Sequence, residues 1–260
     1  MSTLTAAWTT FCVPTHSGRG CYDLAMEKTA TSGKPTIILV HGAFGDASHW
    51  RHIIPPLHQK AYRVFAVQNP LTSLSDDIEQ TRKLVAAQEG PTLLVGHAYG
   101  CAVITGAGLA PNVVGVVYLA GPALDEGESL KSLLAGWAPP PGFSHVRQDQ
   151  YGFLTIDPER FHETFCHDLA DKTESLVWAL TQKPTAARCF EEQSGAPAWK
   201  VKPSWYQISG EDQLIRTETE EWMAKRLNAR KTIALQTSHA SVATHPDAIV
   251  QLIEEASSLE

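Results

Sequence analysis

Five residues, Gly96-His97-Ala98-Tyr99-Gly100, stand between the apolar run Leu93-Leu94-Val95 and the small-residue stretch Cys101-Ala102-Val103-Ile104-Thr105-Gly106-Ala107. A strand that turns sharply into a helix through G-x-S-x-G pushes the middle residue above the sheet, where a serine hydroxyl can attack a carbonyl. The turn leaves no room for side chains at its ends, which suits glycine at 96 and 100. The middle residue is alanine. Ala98 therefore holds a nucleophile position without supplying a nucleophile, and on the pentapeptide alone an ordinary glycine-containing strand–helix turn is as good a reading.

Two further constellations favour chemistry. Thr36-Ile37-Ile38-Leu39-Val40 runs into His41-Gly42-Ala43-Phe44-Gly45, and a glycine there lets the backbone approach a reacting centre. The amide N–H of Ala43 could then point at a developing oxyanion, with the Tyr99 N–H as second donor. Later, Asp212 follows one apolar run and Ser238-His239-Ala240 follows the next. The order, position 98, then Asp212, then His239, suits a nucleophile, an acid and a base, with Asp212 fixing the tautomer of His239. Asp125, after the run ending near Ala120, is the alternative acid. His41 and His97 read as hydrogen-bonding supports of their loops. Cys101, three residues past the elbow, should point inward. Asp76, Asp77 and the acidic stretch 218–221 read as solvated helix faces.

The elements that would position these groups follow a regular rhythm. The runs at 36–40, 64–67, 92–95 and 113–119 are β-branched and apolar on both faces, as in a parallel sheet covered on both sides. Between them, Leu74, Ile78, Thr81 and Val85 share one helical face, as do Trp50, Ile53, Ile54 and Leu57. Strands alternating with such helices predict an α/β fold with a doubly wound, mostly parallel sheet. The rhythm breaks over residues 122–200, where Pro139-Pro140-Pro141 and scattered aromatics predict a helical lid inserted into a core of residues 1–121 and 201–260. It resumes with strands at 204–208 and 231–235, a helix opened by a Thr217/Glu220 capping box, and a closing helix with Ile249, Leu252, Ile253 and Ala256 on one stripe. Residues 1–35 suggest a hairpin at the sheet edge.

Composition narrows the partners. The 260 residues are 43% hydrophobic and 19% charged, which permits a large core. The net charge of −7 and the scattered basic residues speak against nucleic acid. No apolar run nears the roughly 18 residues of a membrane span, and no secretory signal is visible. Five cysteines without a CxxC pair read as reduced thiols of a cytoplasmic protein, although a Cys12–Cys21 bridge is open. No metal site or cofactor is expected. The partner is a small-molecule substrate, and the oligomeric state is left open.

His41-Gly-Ala-Phe-Gly-Asp-Ala-Ser-His-Trp50, Val67-Gln-Asn-Pro-Leu-Thr-Ser73, Gly96-His-x-Tyr-Gly100, Ala198-Trp-Lys200, Pro203-Ser-Trp-Tyr206 and Ser238-His239 resemble a family of small microbial α/β hydrolases. That family is described as esterase-like, includes the EstC-type esterases, and is similar at greater distance to plant methylesterases and hydroxynitrile lyases. The resemblance covers residues 36–257. It implies the α/β-hydrolase fold, a serine site at Ala98, acid Asp212, base His239, and oxyanion amides at Ala43 and Tyr99. Two positions depart from the pattern: Ala98 replaces serine, and Cys101 stands where a second glycine is usual.

The expected function is serine-type hydrolysis of a carboxylic ester, or a similar acyl bond, in a mostly apolar molecule. With Asp212 and His239 intact, Ala98 reads as an engineered removal of the nucleophile, or else as a natural loss in a protein that handles its ligand without a covalent step. Two rivals share the scaffold. One is a lyase, decarboxylase or cyclase that uses His239 as acid–base; the other is a ligand-binding receptor.

Overall fold

The computed structural model describes residues 33–258. The expected N-terminal hairpin and the Cys12–Cys21 pair lie outside them.

Six strands form one parallel sheet: β1 (Thr36–Val40), β2 (Val64–Val67), β3 (Thr92–His97), β4 (Val113–Leu119), β8 (Ser204–Ser209) and β9 (Lys231–Leu235), in the order β2-β1-β3-β4-β8-β9. Their side chains alternate between two cores. Ile37 and Leu39 of β1, Leu93 and Val95 of β3, and Val117 and Leu119 of β4 enter one core, while Ile38, Val40, Leu94, Val116 and Tyr118 enter the other. Both faces are covered, so the central strands are apolar throughout rather than alternating with polar residues.

Helices α1 (Ile54–Gln59) and α10 (Pro246–Ser257) cover the first face. Pro55 and Pro56 lie in the first turn of α1, where missing N–H groups cost nothing, and a short 3-10 turn at Ala47–Trp50 precedes it. The expected face of Trp50, Ile53 and Leu57 is thus built from two short pieces. Helices α2 (Leu74–Ala86), α3 (Gly100–Ala107) and α8 (Thr217–Leu227) cover the other face. Ser73 caps α2, accepting the Asp76 N–H at 3.0 Å. Every residue of α3 is buried, and Gly106 makes room for Ile78 of α2.

Helix α8 differs from expectation at its start. Arg216 is the cap residue, and the Thr217/Glu220 box does not form. The Thr217 hydroxyl donates to the Gly210 carbonyl at 3.1 Å, and Glu220 Oε2 accepts the Ser209 N–H at 2.9 Å. The end of β8 has taken both groups.

Between β4 and β8 the chain leaves the sheet. Helices α4 (Leu130–Leu134), α5 (Phe161–Phe165), α6 (Lys172–Leu180) and α7 (Arg188–Glu191) alternate with an antiparallel sheet of β5 (Val146–Gln148), β6 (Phe153–Ile156) and β7 (Thr185–Ala186). The segment mixes these short helices with a small sheet that sequence patterning did not reveal because its strands are two to four residues long. Helix α9 (Ser241–Thr244) follows β9.

Candidate active site

The chain enters the sheet at β1, fills the β2 side, then crosses back to β3 on the other side of β1. Open α/β sheets form their binding crevice where the winding direction reverses, outside the carboxyl ends of the strands. Here that point lies between β1 and β3, whose ends carry the 41–45 turn and the 96–100 turn. Val40 and Gly96 are register partners. A Cβ on Gly100 would sit 2.2 Å from the Val40 carbonyl oxygen, and one on Gly96 would sit 2.6 Å from the Gly100 carbonyl oxygen. Both glycines are therefore required sterically.

Ala98 occupies the bend between β3 and α3 with φ +51°. Phe44, Leu71 and Ala120, just beyond β1, β2 and β4, also have positive φ. Left-handed backbone at a non-glycine residue costs on the order of 1–3 kcal/mol and survives only where surrounding structure enforces it. Four such residues cluster at one sheet edge. Among the described residues neither the Ala43 nor the Tyr99 amide N–H has an acceptor. A Cβ on Gly42 would lie 2.8 Å from that of Ala98, so the two turns touch.

The β8 and β9 ends meet beside them. His239 Nδ1 donates to Asp212 Oδ2 at 2.5 Å, and both side chains are buried. Asp212 Oδ1 accepts the Leu214 and Ile215 amides at 2.6 and 3.0 Å, which fixes the carboxylate. His97 Nε2 donates to the His239 carbonyl at 2.7 Å, and the two rings stand 4.9 Å apart. His41 donates from Nδ1 to the Gly42 carbonyl at 2.8 Å and accepts the Asn69 N–H at Nε2. Burial lowers the pKa of His41 to about 4, that of His49 to about 3, and that of His97 well below the ordinary histidine value. His41, His49 and His97 thus stay neutral at neutral pH.

Asp125 is elsewhere. It pairs with Lys200 at 2.5 Å and with Arg226 at 3.2 Å, and the Lys200 ammonium holds its carboxyl below the usual carboxylate range. Cys101 is fully buried, with Sγ 3.1 Å from the Gly96 carbonyl, and burial pushes its thiol up.

Two carboxyls expected on solvated faces are buried instead. Asp77 accepts the Tyr99 hydroxyl at 2.6 Å and the Leu71 N–H at 2.8 Å, tying α2 to the residue after Ala98. Glu220 lies beneath the Asp212 loop, where burial first and the Asp212 charge second push its carboxyl well above the ordinary value. The signal was present in both cases. Asp77 falls three residues after Leu74 and four before Thr81, and Glu220 shares a stripe with Met223 and Leu227. Asp168, which accepts the Thr237 hydroxyl at 2.8 Å and the Ser238 N–H at 3.1 Å, had no such signal.

Ala43, Ala98, Tyr99 and His239 open on one cavity of about 690 Å³. Its other walls come largely from the 122–200 segment: Leu130, Leu134, Trp137, Phe143, Leu154 and Phe190, with Leu214, Ile215 and Met223 from the core. The volume lies within the roughly 300–1,000 Å³ of small-molecule sites. Among the described residues no cluster of three or more His, Cys, Asp or Glu could hold a metal ion, and no helix is long and apolar enough to cross a membrane. A buried acid–base pair, two free amides and an apolar chamber form an arrangement suited to reactions at a carbonyl carbon or beside it.

A parallel sheet with its site at the switch point, a tight strand–helix turn and a late Asp and His define a hydrolase-type α/β protein. The chain belongs to the alpha/beta hydrolase family, whose description matches residues 37–252. It is 27% identical to the alpha/beta hydrolase nvfD of Aspergillus novofumigatus, over 86% of this chain and 96% of that protein. The fold is similar to that of a pyrethroid hydrolase from Sphingobium faniae, with TM-score 0.74 and 20% identity over 86% of this chain and 98% of the other. It is also similar to polyneuridine aldehyde esterase, with TM-score 0.74 and 13% identity over 86% and 99% of the two chains. A methylesterase from Arabidopsis gives TM-score 0.70 and 16% identity over 85% and 98%.

Proposed function

We propose that this site is that of a serine-type hydrolase for a carboxylic ester, or a similar acyl bond, in a small and mostly apolar molecule, present here in a form whose nucleophile position is alanine. The observation that carries the reading is the 2.5 Å His239–Asp212 pair opening on the cavity shared with Ala98 and the Ala43 and Tyr99 amides. In the serine form the hydroxyl at 98 attacks the carbonyl while His239 takes its proton, and Asp212 stabilises the imidazolium. The two amides hold the tetrahedral oxyanion, and water then releases the acyl group. Residues 122–200 act as the cap that selects the substrate. The esterase and hydrolase names of the similar structures agree with this chemistry.

The test compares the chain with its Ala98→Ser variant on short-chain and aromatic esters. The serine form should gain at least about 1,000-fold in kcat/KM, because the hydroxyl acts mainly in the transition state. Adding His239→Ala should abolish the gain. If the chain with Ala98 hydrolyses these esters as fast as the serine variant, the reading is wrong.

A further inference from the structure

Alanine at 98 does more than remove a hydroxyl. In the serine form the base nitrogen of His239 would be engaged by the neighbouring Oγ–H. In this chain the side chain is only 4% exposed, its Nδ1 is bound to Asp212, and Nε2 has no hydrogen-bond partner among the described residues. The ring nevertheless borders the cavity, which Ala98 also lines. The Ala43 and Tyr99 amides also lack acceptors. An unused base and two unused donors thus face the same apolar space.

The surroundings favour a neutral reactant. His97 and Phe165 pack against the His239 ring at 4.9 and 5.1 Å, and burial keeps His97 uncharged at neutral pH. The charged side chains on the cavity wall, Lys131 and Glu191, pair with each other at 2.8 Å. Among the described residues no other cation lines the space to receive an anionic substrate group.

We propose that the chain as it stands, with Ala98, catalyses enolisation of bulky apolar carbonyl compounds, with His239 as the base and the Ala43 and Tyr99 amides holding the enolate oxygen. The proposal rests on the same site assignment as the hydrolase reading but needs no nucleophile. A C–H bond beside the carbonyl breaks, and its proton forms an N–H bond at Nε2. The C–H electron pair becomes the carbon–carbon π bond, and the carbonyl π pair moves to oxygen. When the Nε2 proton is replaced from solvent before it returns to the same carbon, the result is hydrogen exchange; in a β,γ-unsaturated carbonyl, delivery to the γ carbon of the dienolate gives isomerisation. No oxidant, reductant or second substrate is consumed. A serine would work against this step, because its hydroxyl would both occupy Nε2 and stand where the substrate carbon must approach.

The probe is 2-tetralone in D2O under nitrogen, with loss of the C1 proton signal followed by NMR. The chain should exchange these protons about 100-fold faster than its His239→Ala variant, in line with general-base effects. His239→Gln, checked for native circular dichroism, should match His239→Ala, and Asp212→Asn should fall between them and the unaltered chain. Ala98→Ser should lose exchange as it gains ester hydrolysis. The enol-shaped 2-naphthol should inhibit exchange more strongly than naphthalene. Exchange no faster than in the folded His239 variants overturns the proposal. Loss of exchange alongside active ester hydrolysis in Ala98→Ser leaves the hydrolase reading standing; exchange without any such hydrolysis removes the hydrolase reading and keeps this one.

Discussion

The carboxyl edge of the sheet and the 122–200 segment, the proposed cap, line the same cavity by different physical means. At the sheet edge, positions are set by backbone strain and polar bonds. Ala98 sits at φ +51°, Asp212 is held by two amides, and His97 grips the His239 carbonyl. In the cap, Leu134, Trp137 and Phe143 are set by apolar packing, and Trp137 makes an edge-on contact with Trp222 at 6.0 Å. Hydrogen bonds of fixed length and direction can hold a reacting geometry; apolar contacts are non-directional and tolerate substitution. Chemistry and selectivity should therefore be separable in this molecule.

The sharpest way to break that separation is at Asp212. In the Ala98→Ser background, Asp212→Asn should reduce ester kcat by about 10,000-fold, through loss of the correct His239 tautomer, with little change in KM. A drop confined to KM would mean that the sheet edge binds rather than reacts.

The cap should respond in the opposite way. In the same background, Trp137→Ala should raise KM for a bulky aromatic ester by roughly tenfold, the equivalent of about 1.4 kcal/mol of apolar contact. Kcat on an acetyl ester should be unchanged. An equal loss of kcat on both substrates would show that the cap takes part in aligning the reacting groups.

The seam between the two regions should reveal itself through pH. His49, on the sheet side, packs 4.4 Å from Trp178 of the cap and is held at about 3 by burial. Unfolded, it takes a proton below about 6.5. Its contribution is therefore complete above that pH and is lost as pH falls, by up to about 1.4 kcal/mol per unit. Urea titrations of the chain and of His49→Gln should show a stability difference that shrinks from pH 6.5 to 4.5. A difference independent of pH would mean a solvated imidazole that takes its proton as readily in the folded as in the unfolded chain.

The smallest effect is expected at Asp125. In the serine background Asp125→Asn should change kcat/KM by less than about twofold, since exposed ion pairs contribute little. A loss comparable to that at Asp212 would reassign the acid.

Much of the frame was legible because strand and helix periods are local properties. The β-branched runs of β1, β3 and β4, the glycines of both turns and the late aspartate and histidine all carry short-range signatures. The small sheet of β5, β6 and β7 was not legible, because two to four residues are too few to establish a period. Thr217 and Glu220 form a good capping pair by spacing, yet in the structure they serve the end of β8.

By itself, then, the sequence determined the alternation of elements and the residue types carried at the ends of its strands: Ala98, Asp212 and His239. Only the tertiary structure decided which aspartate meets His239, that Asp77 and Glu220 lie inside, and that His41, His49 and His97 stay neutral. The reason is that periodicity depends on neighbours along the chain, whereas burial and charge depend on neighbours in space. For Asp77 the hydroxyl of Tyr99 comes from 22 residues away, and for Asp212 the imidazole of His239 comes from 27.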